Sequence, residues 1–420
     1  MMVGGDFPRH PFGFERKILP LLILSWPKLY LVLFMVSFLS FTASGASRPY
    51  GKSSRNFIFP VFFLATAFLF SVLLSQNKRM SLEATAYFFA VLFTLHMFAL
   101  LLDEAEILEP LWVSCSLAVL FLSVKALAWR FSENLDVAAY LVLNNAWVGK
   151  LQIAWVLNFF APFLFARYLL TKGLKSWTAG AAWAASGIAV FILFSRAGSL
   201  IFAASAVLLC ALHRGLWRKW APPAAILCAG LLFVAAKSHR MSRYVVSSTA
   251  GFLHDDGVER RLLIWKDTLR MFRDHPLTGI GFGAYDEIAF SRYGAPYGRL
   301  PDARFRQGGW HAHNLHLHIL AETGIIGFAA WVFFLYSLLS LAVRRWRESR
   351  TAISRGLSEA CLLAFAAFMA LSMTENLLAV RVHQSLRMNL TLGFLLLLFS
   401  ASARSAEKGS HRSLEMLESP

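Results

Sequence analysis

Long apolar runs constrain this chain more than any other feature of its sequence. An α-helix rises about 1.5 Å per residue, so roughly 20 apolar residues cross the ~30 Å hydrocarbon layer of a bilayer. Ten such stretches follow one another: 57–75, 82–102, 108–129, 150–170, 176–195, 197–213, 221–237, 316–343, 356–374 and 386–403. Hydrophobic residues make up 57% of the 420 positions, against roughly 45–50% in a soluble domain. The sequence therefore predicts an all-α, polytopic integral membrane protein.

A further apolar run, residues 18–43, contains Trp26-Pro27-Lys28 near its middle. Proline inside a helix removes an amide donor and clashes with the preceding turn, so this run is one kinked span or two short ones. Short cytoplasmic loops are rich in Lys and Arg, and the richest loops here are 344–350, 214–219 and 167–175. With those loops in the cytoplasm, the basic N-terminal segment is cytoplasmic only if residues 18–43 cross twice. We therefore predict about twelve transmembrane helices.

This topology divides the chain into four parts. They are N-terminal transmembrane helices (1–237), a long, partly helical loop outside the cytoplasm (238–315), C-terminal transmembrane helices (316–403) and a cytoplasmic tail (404–420). The formal net charge of +17 is explained by basic cytoplasmic loops that face anionic membrane lipids, so no nucleic-acid partner is predicted. The four cysteines lie in apolar runs without metal-ligand spacing, which is typical of buried thiols.

The long loop contains one segment with helical periodicity. Apolar residues at 262, 265, 269 and 272 fall on one side of a helix that carries Arg260 and Arg261 near its start. The sequence HPLTGIGFG, residues 275–283, then ends the helix because proline and glycine interrupt it. Its glycines resemble a phosphate loop only loosely, since no Lys-Ser/Thr pair follows them. We therefore expect no nucleotide site here.

Several basic residues lie at the outer membrane face. Arg196 occupies the tight turn SRAGS between two predicted spans, where a charge is costly unless it is paired or hydrated. The planar fork of its guanidinium suits phosphate oxygens; the alternative is a side chain that reaches from a helix end into the interface. Lys78 and Arg79 either hold lipid phosphates or simply end a span, and Arg381 lies in another outward loop, where it could border an acceptor site.

Four histidines gather where the run 316–343 begins: His311, His313, His316 and His318, in GGWHAHNLHLH. Asn314 is a good N-cap residue, so we predict that a helix begins there and places His313 at the membrane mouth as a candidate general base. The two His-x-His pairs lack the i, i+4 spacing or cysteine partners typical of zinc sites, so no metal is predicted. His318 and Glu322 are expected to contact each other within the helix bundle. His316 and His318 enter the span on different faces, and we expect both to act through packing.

Four motifs between residues 195 and 327 together resemble the O-antigen ligase family, whose relatives include O-antigen polymerases and protein O-oligosaccharyltransferases. The motifs are Ser195-Arg196 at the end of a span, Arg261 four residues before Trp265 in ERRLLIW, the run DHPLTGIGFGAY, and His313-Asn314 leading into LHLHILAETGIIG. The hydropathy of the whole chain is also similar to that of the family.

The resemblance implies a glycosyltransferase of the bacterial inner membrane whose active site faces the periplasm. The expected donor is a glycan on undecaprenyl pyrophosphate and the expected acceptor is lipid A-core, with no metal and no nucleotide cofactor. The family's catalytic histidine and two arginines correspond to His313, Arg196 and Arg261. Substrate contacts are expected from nearby or outward-facing polar residues: Arg260, His311, Asn314, Lys78, Arg79 and Arg381.

The chemistry of these residues leaves other functions open. An O-antigen polymerase or a protein O-oligosaccharyltransferase uses the same donor and the same leaving group. A transporter or flippase would bind and release an anionic lipid or sugar with the same charged residues. The long outer loop with its Arg–Trp helix favours an enzyme that works on one side of the membrane, because transport does not require such a loop.

Overall fold

A computed structural model describes residues 52–85, 88, 116–117, 119–124, 126–127, 150–193, 195–237, 256–293, 311–350 and 352–377. Within these ranges the chain is helical and forms no strand. The helices with defined bounds are α1 (Lys52–Leu73), α2 (Lys150–Leu170), α3 (Leu174–Ile192), α4 (Arg196–Leu212), α5 (Trp217–Lys237), α6 (Asp256–Asp274), α7 (Tyr285–Arg292), α8 (Leu315–Glu348) and α9 (Ala352–Ser372). The predicted crossings in 18–43 and 386–403, the tail and Arg381 lie outside the described residues.

Helix α2 forms the centre of the described bundle. Its sequence KLQIAWVLNFFAPFLFARYLL is apolar on every side, and a helix without a polar face is buried all round. It packs against α3, α4 and α9, and its phenylalanines at 159, 160, 163 and 165 are each at most 1% exposed. Helices α3, α4 and α9 therefore surround α2, while α8 packs against α9, α1 and α6.

Among the described residues, three segments are long and apolar enough to cross a membrane: Ile153–Leu170, Leu315–Glu348 and Arg355–Ser372. Helices α4 and α5 meet at 94° across the short 3₁₀ turn Arg214–Leu216. If the two helices together form one bent span, they add a fourth crossing. The sequence predicted two separate spans there, 197–213 and 221–237. The apolar runs are present as predicted, but the structure joins them in an elbow.

The basic loops lie together at one end of the bundle, which we call the basic end. Lys219 Nζ donates to the carbonyl oxygens of Leu169 at 2.9 Å and Thr171 at 3.0 Å. His213 Nε2 lies 2.8 Å from Glu359 Oε2, which ties the α4–α5 elbow to the start of α9. Trp346 Nε1, in the predicted loop 344–350, donates to Glu359 Oε1 at 3.3 Å. The three loops that the sequence assigned to one side of the membrane are thus neighbours in the structure.

The other end of the bundle, which we call the site end, is built around a break in α8. The backbone is non-helical at Gly324, with φ 63° and ψ −167°. The loop after α6 runs along this break: Ile280 N–H donates to Ala321 O at 3.0 Å, and Ile325 N–H donates to Pro276 O at 2.9 Å. The loop therefore pairs backbone groups that the interrupted helix leaves without an internal partner.

The glycines of HPLTGIGFG have a packing role at this break. Gly279 has φ 69°, and a Cβ there would overlap the backbone of Glu322. A Cβ on Gly324 would overlap the backbone of Leu277 in the same way. Close backbone approach explains these two glycines.

Replacing Gly279 with alanine is expected to destabilise the fold. The substitution combines a positive φ, which costs an alanine ~1–3 kcal/mol, with overlap against the α8 backbone. Thermal unfolding of the detergent-purified protein should show a lower midpoint for Gly279→Ala. Gly215→Ala is the matched control, since a Cβ there meets nothing within 4 Å. Equal midpoints for the two variants would contradict the assigned role of Gly279.

Candidate active site

Helix α6 is confirmed, and it ends at Asp274, just before the predicted interruption. Its buried residues are Ile264, Thr268 and Met271. Leu262 and Leu269, which belong to the apolar stripe that predicted the helix, are 56% and 39% exposed. The buried face includes a polar residue because the Thr268 hydroxyl bonds to Ile264 O at 2.7 Å and to the Tyr285 hydroxyl at 2.6 Å. A prediction based on the spacing of apolar residues does not identify Thr268 as part of the buried face.

A buried carboxylate, Glu375, connects Arg261 to His313. Arg261 Nη2 donates to Glu375 Oε1 at 3.1 Å, and His313 Nδ1 lies 3.2 Å from Glu375 Oε2. The Glu375 side chain is 9% exposed, whereas those of Arg261 and His313 are 36% and 33% exposed. The two residues carried over from the family motifs thus share one carboxylate at the site end.

The backbone at His313 turns sharply. Its φ of 48° places a non-glycine residue in the left-handed region, which costs energy and occurs most often at functional sites. The next residue, Asn314, is extended and caps α8: its Oδ1 accepts from the N–H groups of His316 at 3.0 Å and Leu317 at 3.1 Å. The predicted helix start is therefore confirmed. Asn314 is buried, and its side-chain oxygen serves the cap.

His311 is packed beside His313. Its Nδ1 accepts from the His313 backbone N–H at 3.2 Å, and the two ring centroids are 4.0 Å apart. Burial lowers the pKa of His311 well below its ordinary value, and electrostatic repulsion from the nearby His313, His318 and Arg261 side chains lowers it further. His311 is therefore neutral at neutral pH and adds no charge next to His313.

The backbone of Ala312, the residue between these two histidines, is held by side chains from two helices. Trp265 Nε1 donates to Ala312 O at 2.9 Å, and Ala312 N–H donates to His318 Nδ1 at 3.4 Å. The predicted contact between His318 and Glu322 is confirmed, with Nε2 and Oε1 3.3 Å apart. The fourth histidine of the group, His316, lies elsewhere: its Nε2 is 2.8 Å from the hydroxyl of Ser372 on α9.

Arg196 is the first residue of α4, and Ser195 caps that helix by accepting from Gly198 N–H at 3.2 Å. Helix α4 packs against α9, and its far end meets the start of α9 through the His213–Glu359 contact. The two helices are therefore antiparallel, and Arg196 lies at the same end of the bundle as Glu375. Arg196, Arg261 and His313, the three residues that correspond to the family's motifs, therefore all lie at the site end.

The remaining predicted site residues are more peripheral. Arg260 lies on α6 next to Arg261. Lys78 is exposed, and Arg79 forms an exposed ion pair with Glu83 at 3.2 Å. This segment follows α1, where Gln76 N–H donates to Ile280 O at 3.2 Å, so it also lies at the site end. Arg381 is outside the described residues.

The structure places a carboxylate, Glu375, beside two of the histidines that were considered as metal ligands from the sequence. One ligand atom each from His311, His313 and Glu375 lies within 4.8 Å of the others, and two imidazoles with a carboxylate are a set that zinc uses. Each group is engaged with protein, however: His311 Nδ1 with a backbone N–H, His313 with Glu375, and Glu375 also with Arg261. These contacts join the three groups and Arg261 in one hydrogen-bonded chain.

The fold and the site define a class: a helical membrane protein with an arginine–glutamate–histidine cluster at one end of its bundle. Residues 180–332 match the family model described as O-antigen ligase. This match confirms the resemblance to the O-antigen ligase family, a family of glycosyltransferase-like membrane enzymes, and it contains Arg196, Arg261 and His313. A comparison with curated proteins finds no match.

Proposed function

We propose that this protein is a glycosyltransferase of the bacterial inner membrane that ligates O-antigen polysaccharide to lipid A-core. The donor is the polysaccharide on undecaprenyl pyrophosphate, and transfer takes place on the periplasmic side. The observation that carries the proposal is the Arg261–Glu375–His313 chain of contacts. It joins a phosphate-binding type of side chain to a candidate base, and both residues lie within the family match.

His313 is the general base in this proposal. A carboxylate only accepts hydrogen bonds, so the contact with Glu375 requires the proton of neutral His313 to be on Nδ1. The lone pair is then on Nε2, where it can take the proton from a sugar hydroxyl of the acceptor. The negative charge of Glu375 stabilises the imidazolium that forms, as in other carboxylate-oriented histidines.

Arg261 and Arg196 stabilise the leaving group. Cleavage of the bond between the anomeric carbon and the pyrophosphate oxygen leaves negative charge on phosphate, and fixed guanidinium donors at that position lower the barrier. A guanidinium has five N–H donors, so the bond from Arg261 Nη2 to Glu375 leaves others for phosphate oxygens. His311 borders the same site, and Arg260, Lys78, Arg79 and Arg381 are the proposed contacts for anionic lipid or acceptor.

The reaction is a single displacement. The acceptor oxygen forms its bond to the anomeric carbon while the pyrophosphate departs with the electron pair of the broken bond, and His313 Nε2 keeps the proton. One displacement inverts the anomeric centre, whereas a retaining enzyme uses a second carboxylate as nucleophile. Neither a metal nor a nucleotide cofactor takes part.

Arginine-to-lysine substitutions test the phosphate contacts. Lysine keeps the positive charge but lacks the planar fork, so Arg261→Lys and Arg196→Lys should each slow transfer roughly 10²–10³-fold, the cost of one lost donor to developing charge. Arg270→Lys is the control on the same helix, where Arg270 pairs with Asp267 at 2.9 Å. Transfer rates are measured on equal amounts of folded protein. Native rates in both test variants would show that these arginines are structural.

The acceptor distinguishes the ligase from its relatives. Purified protein is incubated with an undecaprenyl-pyrophosphate glycan and either lipid A-core, a second donor molecule or an acceptor protein, and each product is identified by mass. Ligation predicts the joined product with lipid A-core alone. Product with the second donor would indicate a polymerase, and product with the protein would indicate an oligosaccharyltransferase. Movement of the intact donor across a vesicle membrane, with no new bond, would indicate a flippase.

A further inference from the structure

Both backbone polar groups of Ala312 are held by side chains, so the two peptide groups that flank this residue are fixed. Its carbonyl oxygen accepts from Trp265 Nε1 at 2.9 Å, and its N–H donates to His318 Nδ1 at 3.4 Å. Ala312 has no solvent exposure, so water cannot replace either partner. The residue that follows it in the chain is His313, and the residue before it is His311.

His318 is itself held in one orientation. Because Nδ1 accepts from Ala312, the proton of the neutral ring is on Nε2, which faces Glu322 Oε1 at 3.3 Å. The same carboxylate oxygen accepts from Tyr285 N–H at 3.0 Å, and the Tyr285 ring lies 4.4 Å from the His318 ring, centroid to centroid. These contacts fix the tautomer and the orientation of the His318 ring. They therefore keep Nδ1 in place as the acceptor for the Ala312 N–H.

Trp265 connects the backbone of Ala312 to the helix that carries Arg261. It lies one helical turn after Arg261 on α6, so the helix that brings Arg261 to Glu375 also holds the peptide next to His313. His313 needs such support because its positive φ of 48° is unfavourable for a residue with a side chain. A strained conformation persists only where the surroundings enforce it.

We propose that Trp265 and His318 are positioning residues for His313. They hold the backbone of Ala312 so that the His313 ring contacts Glu375. Because Trp265 and Arg261 lie on the same helix, Trp265 also fixes the position of His313 relative to Arg261. The proposal rests on the function proposed above, in which His313 is the base. It gives His318 a part beyond the packing that the sequence predicted for it.

Trp265→Phe tests the contact with the smallest change, because phenylalanine keeps an aromatic ring and loses the N–H donor. A misplacement of about 1 Å can cost 10²-fold in rate, so we expect kcat to fall roughly 10–100-fold while KM for the donor stays near the native value. Trp346→Phe is the matched control: its Nε1 also donates to a protein group, Glu359 Oε1, at 3.3 Å, but at the basic end. A native kcat for folded Trp265→Phe, or equal losses in both variants, would overturn the proposal.

Two further comparisons separate positioning from general destabilisation. In a His313→Ala background, measured under single turnover, Trp265→Phe should add little further loss, because the group that it positions is absent. If the rate loss of the double variant equals the product of the two single-variant losses, the proposal is overturned. His318→Asn places an acceptor close to the position of the imidazole Nδ1, whereas His318→Gln does not, so Asn should retain the higher kcat. The reverse order would also overturn it.

The proposed function and this inference fail in different ways. If the native protein transfers no glycan, or if His313→Ala transfers at the native rate, the proposed function is wrong and the positioning role falls with it. If native and His313→Ala proteins behave as expected but Trp265→Phe matches Trp346→Phe, only the positioning role is wrong.

Discussion

His313→Ala is expected to slow glycan transfer by roughly 10²–10⁴-fold, the usual contribution of a positioned general acid–base group. The variant removes the imidazole that contacts Glu375 and with it the proposed base for the acceptor hydroxyl. Donor binding should change much less, because the proposed phosphate contacts come from arginines. The measurement is the single-turnover rate of purified protein, together with donor binding in the absence of acceptor.

His213→Ala is the matched control for this prediction. His213 also contacts a buried glutamate, with its Nε2 2.8 Å from Glu359 Oε2, but at the basic end of the bundle. Any general cost of removing a histidine that is paired with a carboxylate should appear in both variants. A rate loss confined to His313→Ala supports the base assignment, and native turnover by folded His313→Ala protein would refute it.

Glu375→Gln is expected to have an effect of similar size. Glutamine nearly preserves the shape of the side chain but removes the charge that stabilises the imidazolium and orients the Nδ1 proton of His313. In Ser-His-Asp proteases, replacing the aspartate by its amide costs about 10⁴-fold in rate, and we expect roughly 10²–10⁴-fold here. The variant also loses the ion pair with Arg261, so donor binding should change as well.

The control for Glu375→Gln is Glu359→Gln. Glu359 is buried and shared by His213, Arg355 and Trp346 at the basic end. Its substitution should lower stability without a specific loss of kcat. If the two glutamine variants lose activity only in proportion to their loss of folded protein, Glu375 is a structural carboxylate and the proposed base is oriented by another group.

Local patterns in the sequence predicted much of the site. Asn314 preceding an apolar run predicted the start of α8, since an N-cap depends on residues two or three positions away. The His318–Glu322 contact follows from i, i+4 spacing on one helix. The grouping of basic loops at one end follows from the charge rule for membrane proteins. Each of these features is set by short-range geometry or by one overall physical rule.

The rest of the site depends on long-range packing. Glu375 is 62 positions from His313 and 114 from Arg261, and no periodicity connects such distant residues. Its only signal in the sequence was an acid at the end of the predicted span 356–374. The α4–α5 elbow was missed because two apolar runs separated by a basic turn have the same pattern as two antiparallel spans. The role of Gly279 depends on the α8 backbone, which only the folded structure brings close.

The Arg261–Glu375–His313 cluster is proposed to catalyse transfer of a glycan from a polyprenyl pyrophosphate to a hydroxyl acceptor. A single-turnover reaction tests this directly: purified native protein is mixed with undecaprenyl-pyrophosphate glycan and lipid A-core, in chelator and without nucleotide or energy source. We expect joined product to form in chelator at the same rate as without it, and the rate to fall roughly 10²–10⁴-fold with His313→Ala. Product that forms only after a divalent metal is restored, or that forms equally fast with His313→Ala, would contradict it.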